Sequence, residues 1–241
     1  MKQLKIFTAL LLAISVSSFT PTTRVSWIGR LTTQKAFGIS SAIKSSEIIV
    51  LALPSQPIRD VITKNKSSFN KNHIIVNVSK GIEIDTLMTI SEVINDALDG
   101  RQKSVVTLSG PSHAEEVING HPTTLVAASN DIQSAEIIQN LFATEMLRTY
   151  LNRDIRGVEL GGSMKNVIAI AAGICDGIGY GDNSKAALMT RGMMEITRLG
   201  EAMGAKVETF RGLSGYGDLI VTCLSKHSRN RQLGQLIGQG K

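Results

Sequence analysis

The chain has 241 residues, 42% hydrophobic and 19% charged, a globular composition with room for one large or two modest domains, and this excludes a disordered chain. An excess of 26 lysines and arginines over 20 acids gives a net charge of +6, compatible with anionic partners although most surface lysines simply solvate a surface, while an aromatic content of 4% and scattered basic residues argue against nucleic acid. Cys175 and Cys223 fit neither a zinc spacing nor a disulfide framework, and His73, His113, His121 and His227 show no HxxxH or HExxH spacing, so reduced thiols and no metal are expected.

The first residues are basic "MKQLK", then an apolar run from Ile6 to Val16, then small "SS", the layout of a secretory signal peptide. The run is short for a membrane span and also reads as a buried strand or helix of a shortened domain, and the remainder reads as a soluble enzyme, so a cytoplasmic location is expected, with export from the signal-like residues 1–18 as the alternative. From Ser46 a regular alternation begins. "EIIVLALPSQPIRDVITK" is a strand ending at Pro54 with a helix start at Ser55, and "HIIVNVSKG" is a strand leading into helical "TLMTISEVINDAL". "KSVVTLSGPSHAEEV" repeats the pattern. Continuous Val/Ile/Leu runs between helices predict a parallel sheet covered on both faces. "TTLVAAS" and "MLRTYLN" read as edge strands, with a helix from Asp131 to Phe142 between them.

After about Arg156 the strands stop, and the change of class marks a domain boundary. A helix from Ser163 to Cys175 with Ser163 as its N-cap, a second from Ser184 to Met203, a loop "FRGLSGYGDLI" and a last helix opening at Ser228 are predicted.

Several residues invite a chemical reading beside an ordinary one. Lys80, where a strand ends before Gly81, faces either a ligand crevice or plain solvent. In "SGPSHAEE", Ser112 and Glu115 fit a capping box, and the helix start after Gly110 suits an anion as well as simple capping. In "SRNRQLG", Ser228 caps a helix and Arg229 offers paired donors to phosphate oxygens, or is a solvated arginine at an ordinary helix start. Lys165 falls in the first turn of an apolar helix. It either snorkels to water or stays inside, where burial and the positive helix end lower its pKa and a carboxylate such as Asp218, in the glycine-flanked "GYGDLIVTC", raises it again.

The blocks "NVSKGIE", "LSGPSHAEEV", "GGSMKNVIAIAAGICDGIGYGDNSKAALMTRGMMEI", "GLSGYGDLIVTC" and "SRNRQLG" resemble, in order and spacing, the bacterial NAD(P)-dependent glycerol-3-phosphate dehydrogenases from about Phe37 onward. The resemblance implies reversible hydride transfer between NAD(P)H and dihydroxyacetone phosphate, supplying sn-glycerol 3-phosphate for phospholipid synthesis, with NAD or NADP as cofactor. It implies Lys165 as the acid/base held by Asp218, Lys80 and Asn166 orienting substrate oxygens, and Thr222, Ser228, Arg229 and Asn230 at the phosphate end. Gly110 and Ser112 would line the substrate side, and Ala114 the cofactor side with Arg229 near both.

The expected fold class is α/β: an incomplete Rossmann-like parallel-sheet domain over residues 37–156, then an all-helical, truncated substrate domain over 157–241, with 1–36 an atypical signal-like or replacement-strand segment. Two departures from the family shape this expectation. The GxGxWG fingerprint is absent, only "SWIG" at Ser26 to Gly29 echoing it too close to "ALPS" for the missing strand and helix pairs, and the chain stops at Lys241 where the family's helical domain continues. A small-molecule substrate and a homodimer are the expected partners. The competing expectation is an inactive remnant that binds a phosphometabolite or another protein.

Overall fold

The computed structural model describes residues 25–29 and 38–241, and the expectation of a signal-like segment over residues 1–18 lies outside them. The aliphatic runs form strands because each residue is buried on one face of the sheet or the other. Ile49, Leu51, Ile75 and Val105 point into one core, and Ile48, Val50, Ile74, Val76, Val106 and Leu108 into the opposite one. The strands are β1 (Val25–Gly29), β2 (Ile48–Ala52), β3 (Ile74–Asn77), β4 (Ser104–Ser109), β5 (Thr123–Ala128) and β6 (Leu147–Asn152), in spatial order 1-2-3-4-5-6. The first four are mutually parallel, β5 runs antiparallel to β4, and β6 is parallel to β5.

Two expectations about the sheet are corrected. The "TTLVAAS" strand is not at an edge but between β4 and β6, with Leu125 to Ala128 buried. Nor is the sheet wholly parallel. The connection from β4 to β5 contains only the five-residue helix Ala114–Ile118, far too short to traverse a six-residue strand, so the chain re-enters from the end it left. At the other margin the "SWIG" stretch, too near "ALPS" for two strand–helix pairs, supplies one strand: Val25 to Gly29 pair with Ile48 to Ala52.

Helices α1 (Ile39–Lys44), α2 (Ile58–Lys64) and α3 (Ile90–Leu98) cover one face through Ile43, Ile58, Ile62, Val93, Ile94 and Leu98. Beyond α4 (Ala114–Ile118), helix α5 (Ile132–Phe142) covers the other through Ala135, Ile138 and Phe142. Helix α2 starts three residues later than expected from Ser55, because Ser55 to Pro57 form the turn that leads into it. The predicted "TLMTISEV" helix begins only at Ile90, after Leu87 at φ 57°, where Thr89 and Glu92 form a capping box. The capping box expected at Ser112 does not form: α4 opens after His113 with no side-chain cap, and Ser112 Oγ turns back to the carbonyl of Gly110 at 3.4 Å.

The largest correction concerns the long helix α6 (Ile155–Ile178), whose N-cap is Asp154, not Ser163. Asp154 Oδ1 accepts from Gly157 N–H at 3.0 Å, and its Oδ2 accepts from Lys206 N–H and the Thr209 hydroxyl, so one carboxylate ties the helix start to a distant loop. Gly161 and Gly162 look like helix punctuation, but they are interior positions kept small by packing: a β-carbon on Gly161 would stand 2.7 Å from the Ser214 carbonyl oxygen. The first turn of α6 packs into the sheet core through Ile155 and Val158, and Leu160, Ala169 and Ala172 enter the helical core. That core is completed by α7 (Asp182–Ala202), α8 (Val207–Phe210), a π-turn at Leu213–Gly217 and α9 (Asp218–Leu224) through Met193, Ile196, Phe210, Leu219 and Cys223. Finally α10 (Arg229–Gly238) crosses α6 almost backbone to backbone, Gly173 and Gly177 facing Gly234 and Gly238. By length and composition α6 is the one described helix apolar enough to cross a membrane, but it is wrapped by the sheet and by α7 to α10 and carries buried Glu159 and Lys165.

Candidate active site

Three elements converge where the sheet meets the helical layer. The loop after β3 carries Lys80, α6 carries Lys165, and the π-turn delivers Asp218 at the start of α9. Asp218 can enter so deeply because the turn before it is packed tightly: a β-carbon on Gly215 would stand 2.0 Å from the Phe210 carbonyl oxygen. Asp218 is 1% exposed and Lys165 6%. The Lys165 ammonium donates to Asp218 Oδ1 and to Thr222 Oγ1 at 2.7 Å, and the Lys80 ammonium donates to Asp218 Oδ2 and to the Gly110 carbonyl at 3.3 Å. One carboxylate thus holds two cations, one buried and one reaching in from the half-buried loop.

This arrangement sets the acidity of Lys165. Burial is the main cause that lowers its pKa, to about 7 from 10.5, and the nearby Lys80 charge lowers it further, while Asp218 pulls in the opposite direction. The helix N-terminus is not a cause. Lys165 lies in the third turn of α6, whereas the field of a helix end fades within the first. An amine in this state both gives and takes a proton near neutral pH.

Gly162 leaves room for the Lys80 stem. A β-carbon there would stand 2.9 Å from Ser109 Oγ and 3.6 Å from Lys80 Cδ, so a larger residue would press on the strand end and the lysine stem together. At Gly110, φ is +149° and a β-carbon would meet the Thr124 carbonyl oxygen at 3.0 Å, which explains the glycine beneath the Lys80 ammonium.

The other candidates fall into two groups. Ser112 and Ala114 stand at the turn into α4, partly buried, and Asn166 is partly buried beside Lys165 in the chain. Ser228 caps α10 through its oxygen, which accepts from Arg231 N–H at 3.3 Å; Arg229 is exposed and Asn230 half-buried, and no described acid pairs with Arg229. The rings of His113 and His227, 6.2 Å apart, bring the α4 turn near the loop before α10. The Thr222 hydroxyl, 4% exposed, accepts from Lys165 and donates to the Asp218 carbonyl at 2.6 Å, so it stands beside the lysines.

Sequence reasoning passed over four residues here. His113 is half-buried with Nε2 unpartnered, and its pKa is lowered, by burial first and also by the charge of Lys165. Ser109, 3% exposed, has an unpartnered hydroxyl. Glu159, fully buried, accepts from Ser91 N–H at 3.0 Å, the Ser91 hydroxyl at 2.6 Å, Thr107 Oγ1 at 2.8 Å and Asn77 Nδ2 at 3.1 Å, and burial raises its pKa. Ser163 takes a hydrogen bond from the loop that bears Lys80. An acid six residues before a lysine in an otherwise apolar helix was the available signal for Glu159. The other three carried none.

Among the described residues no three His, Cys, Asp or Glu side chains are placed to hold a metal ion, and both cysteines are free thiols. Cys223 is buried against the site, which pushes its thiol up to about 11.

Residues 32–135 match the family described as NAD-dependent glycerol-3-phosphate dehydrogenase N-terminus, and residues 154–241 match the corresponding C-terminus. A glycerol-3-phosphate dehydrogenase (NAD(P)+) of Clostridium perfringens is 58% identical over 203 residues, covering 84% of this chain and 61% of that protein. One from Thermoanaerobacter sp. is 55% identical with the same coverage. The crystal structure of glycerol-3-phosphate dehydrogenase from Coxiella burnetii superposes with a TM-score of 0.80 at 37% identity, covering 84% of this chain and 62% of that one. The chain spans about 61% of the length of the curated relatives it matches. Its Rossmann-like sheet, helical second layer and matched sequence place it in the NAD-dependent glycerol-3-phosphate dehydrogenase family.

Proposed function

We propose that this chain carries the catalytic and substrate-binding machinery of an NAD(P)-dependent sn-glycerol-3-phosphate dehydrogenase, interconverting dihydroxyacetone phosphate and sn-glycerol 3-phosphate. The observation that carries the reading is the buried Lys165 on one oxygen of Asp218 with Lys80 on the other. In the reductive direction Lys165 gives its proton to the substrate carbonyl oxygen as hydride reaches carbon, and in the oxidative direction it takes the hydroxyl proton back. Asp218 and Thr222 keep the amine aimed, and Lys80 with Asn166 orients the substrate oxygens.

Exposed Arg229, half-buried Asn230 and the free N–H groups of the helix start capped by Ser228 suit a phosphate dianion, and Gly110 and Ser112 are assigned to the substrate side. The nicotinamide cofactor, when bound, supplies or receives the hydride. The residues present fit its reactive end: Ser109 Oγ and His113 Nε2 are buried polar atoms without a hydrogen-bond partner, and Ala114 and Arg229 are the residues assigned to the cofactor side. We also propose the division into a cofactor domain at 37–156 and a substrate domain at 157–241, a homodimer, and a cytoplasmic setting in which the product feeds phospholipid synthesis.

The test is NADH or NADPH oxidation by purified protein on addition of dihydroxyacetone phosphate, compared with Lys165→Ala. Turnover in the parent and none in the variant supports the reading. Equal rates reject it.

A further inference from the structure

Lys80 and Lys165 reach Asp218 from different elements, so their separation depends on how the loop after β3 is fastened to α6. Two residues one turn apart on α6 do the fastening. Ser163 Oγ accepts from Gly81 N–H at 2.9 Å and donates to the Glu159 carbonyl at 2.7 Å. On the other flank, Glu159 Oε1 accepts from Asn77 Nδ2, Asn77 Oδ1 accepts from Ser79 N–H at 2.9 Å, and the Ser79 hydroxyl donates to the Leu53 carbonyl. Lys80 is therefore strung between two anchored neighbours, Ser79 and Gly81. Gly81 has φ +152°, and a β-carbon there would stand 2.6 Å from Ser55 Oγ, so the loop is closely confined at this point.

Helix stability alone does not account for a serine at 163. In a helix interior serine is less favourable than alanine by about 0.5 kcal/mol, and its bond to the carbonyl four residues back slightly destabilises the helix. What the hydroxyl adds is the tie to Gly81.

We propose that Ser163 is a positioning residue, which fixes the Lys80 ammonium relative to Lys165 by holding Gly81, with Glu159 bracing the opposite flank through Asn77. The kinetic consequence rests on the dehydrogenase reading of the site; the chemical one does not. Lys165 faces Lys80 from the loop, His113 from the α4 turn, and Asp218 and Cys223 from α9. Of these, Lys80 is the charge that the tie controls.

The experiment is competitive acetylation with acetic anhydride across pH, read by peptide mass spectrometry, on the parent chain and on Ser163→Ala, Ser163→Cys and Ser163→Thr, with thermal melting of each. Loosening Lys80 removes part of the positive potential on Lys165, so Ser163→Ala and Ser163→Cys shift its titration upward by about half a unit or more. Ser163→Thr, which keeps the acceptor, restores the parent curve. Where the parent turns over dihydroxyacetone phosphate, kcat/KM falls about tenfold in Ala and Cys and recovers in Thr.

An unchanged Lys165 titration in the folded Ala or Cys variant overturns the proposal, as does a shift that Thr fails to restore. Absence of turnover in the parent instead overturns the dehydrogenase reading and leaves the acetylation result to judge Ser163.

Discussion

The Lys165 ammonium and the Asp218 carboxylate form an ion pair almost wholly removed from water, and the second oxygen of that carboxylate is taken by Lys80. Two cations sharing one anion leave a net positive charge in a buried place. Burial first, and that added positive charge second, lower the Lys165 pKa to about 7, so that near neutrality the amine is not a permanent cation.

Replacing Asp218 by Asn leaves both ammoniums without a counter-charge. Removing one partner of a buried pair costs about 3–5 kcal/mol, although proton loss from Lys165 relieves part of it. The expected outcome is a lower denaturation midpoint, a Lys165 pKa below that of the parent, and loss of turnover at neutral pH, checked by urea melts and pH–rate profiles. A parent-like profile would contradict the assignment of Asp218.

The pH dependence of stability has a definite sign. Lys165 titrates near 7 in the folded chain and near 10.5 when unfolded, so between these values the unfolded chain binds the extra proton. Stability contributed by this group therefore rises with pH through that window and is flat below it. Comparing Lys165→Met with the parent reports the contribution: the parent should gain stability relative to the variant as pH rises across this window, as read by denaturant titration at several pH values.

Arg229 tests the phosphate end. It is exposed, and no ion pair ties it to an acid among the described residues, so it is free to meet a phosphate. Arg229→Lys keeps the charge and loses the paired geometry, so KM for dihydroxyacetone phosphate should rise about tenfold or more, within the range of about 1.5–3 kcal/mol for a charged hydrogen bond, with a smaller change in kcat. Steady-state kinetics settle it, and a selective fall in kcat would assign Arg229 to the chemical step instead.

Gly173 tests the crossing of α6 and α10. A β-carbon there would stand 2.0 Å from the Arg231 carbonyl oxygen, a backbone atom with nowhere to go. Gly173→Ala must push the helices apart. It should destabilise the fold by about 1–3 kcal/mol or more, against the small gain in helix propensity. Because α10 carries Ser228 to Asn230, weaker binding of the phosphate substrate should accompany the loss, measurable by calorimetry with dihydroxyacetone phosphate.

Much of the layout was legible because it depends on short-range patterns. Uninterrupted Ile/Val runs such as "EIIVLA" are strands buried on both faces, and Ser228 does cap the last helix. The errors arose where a local signal was outweighed by packing. Ser163 has the chemistry of a cap and Gly161–Gly162 that of a helix boundary, although glycine inside a helix is also what close approach of other backbone demands. Ser112 followed by Glu115 had the capping spacing, yet Gly110 and Pro111 carry the chain past that geometry and α4 opens after His113.

By itself the sequence determined the α/β-then-helical order, a lysine lodged in an apolar helix, and the blocks that mark the family, because each is written in neighbouring residues. Only the tertiary structure decided that Lys165 sits deep in its helix with burial as the main cause of its low pKa, that Lys80 and Lys165 share Asp218, and that Ser163 grips the loop between them. These relations join residues as much as 138 positions apart in the chain. Proximity at such separation is set by how the sheet and helices pack, and no local pattern encodes it.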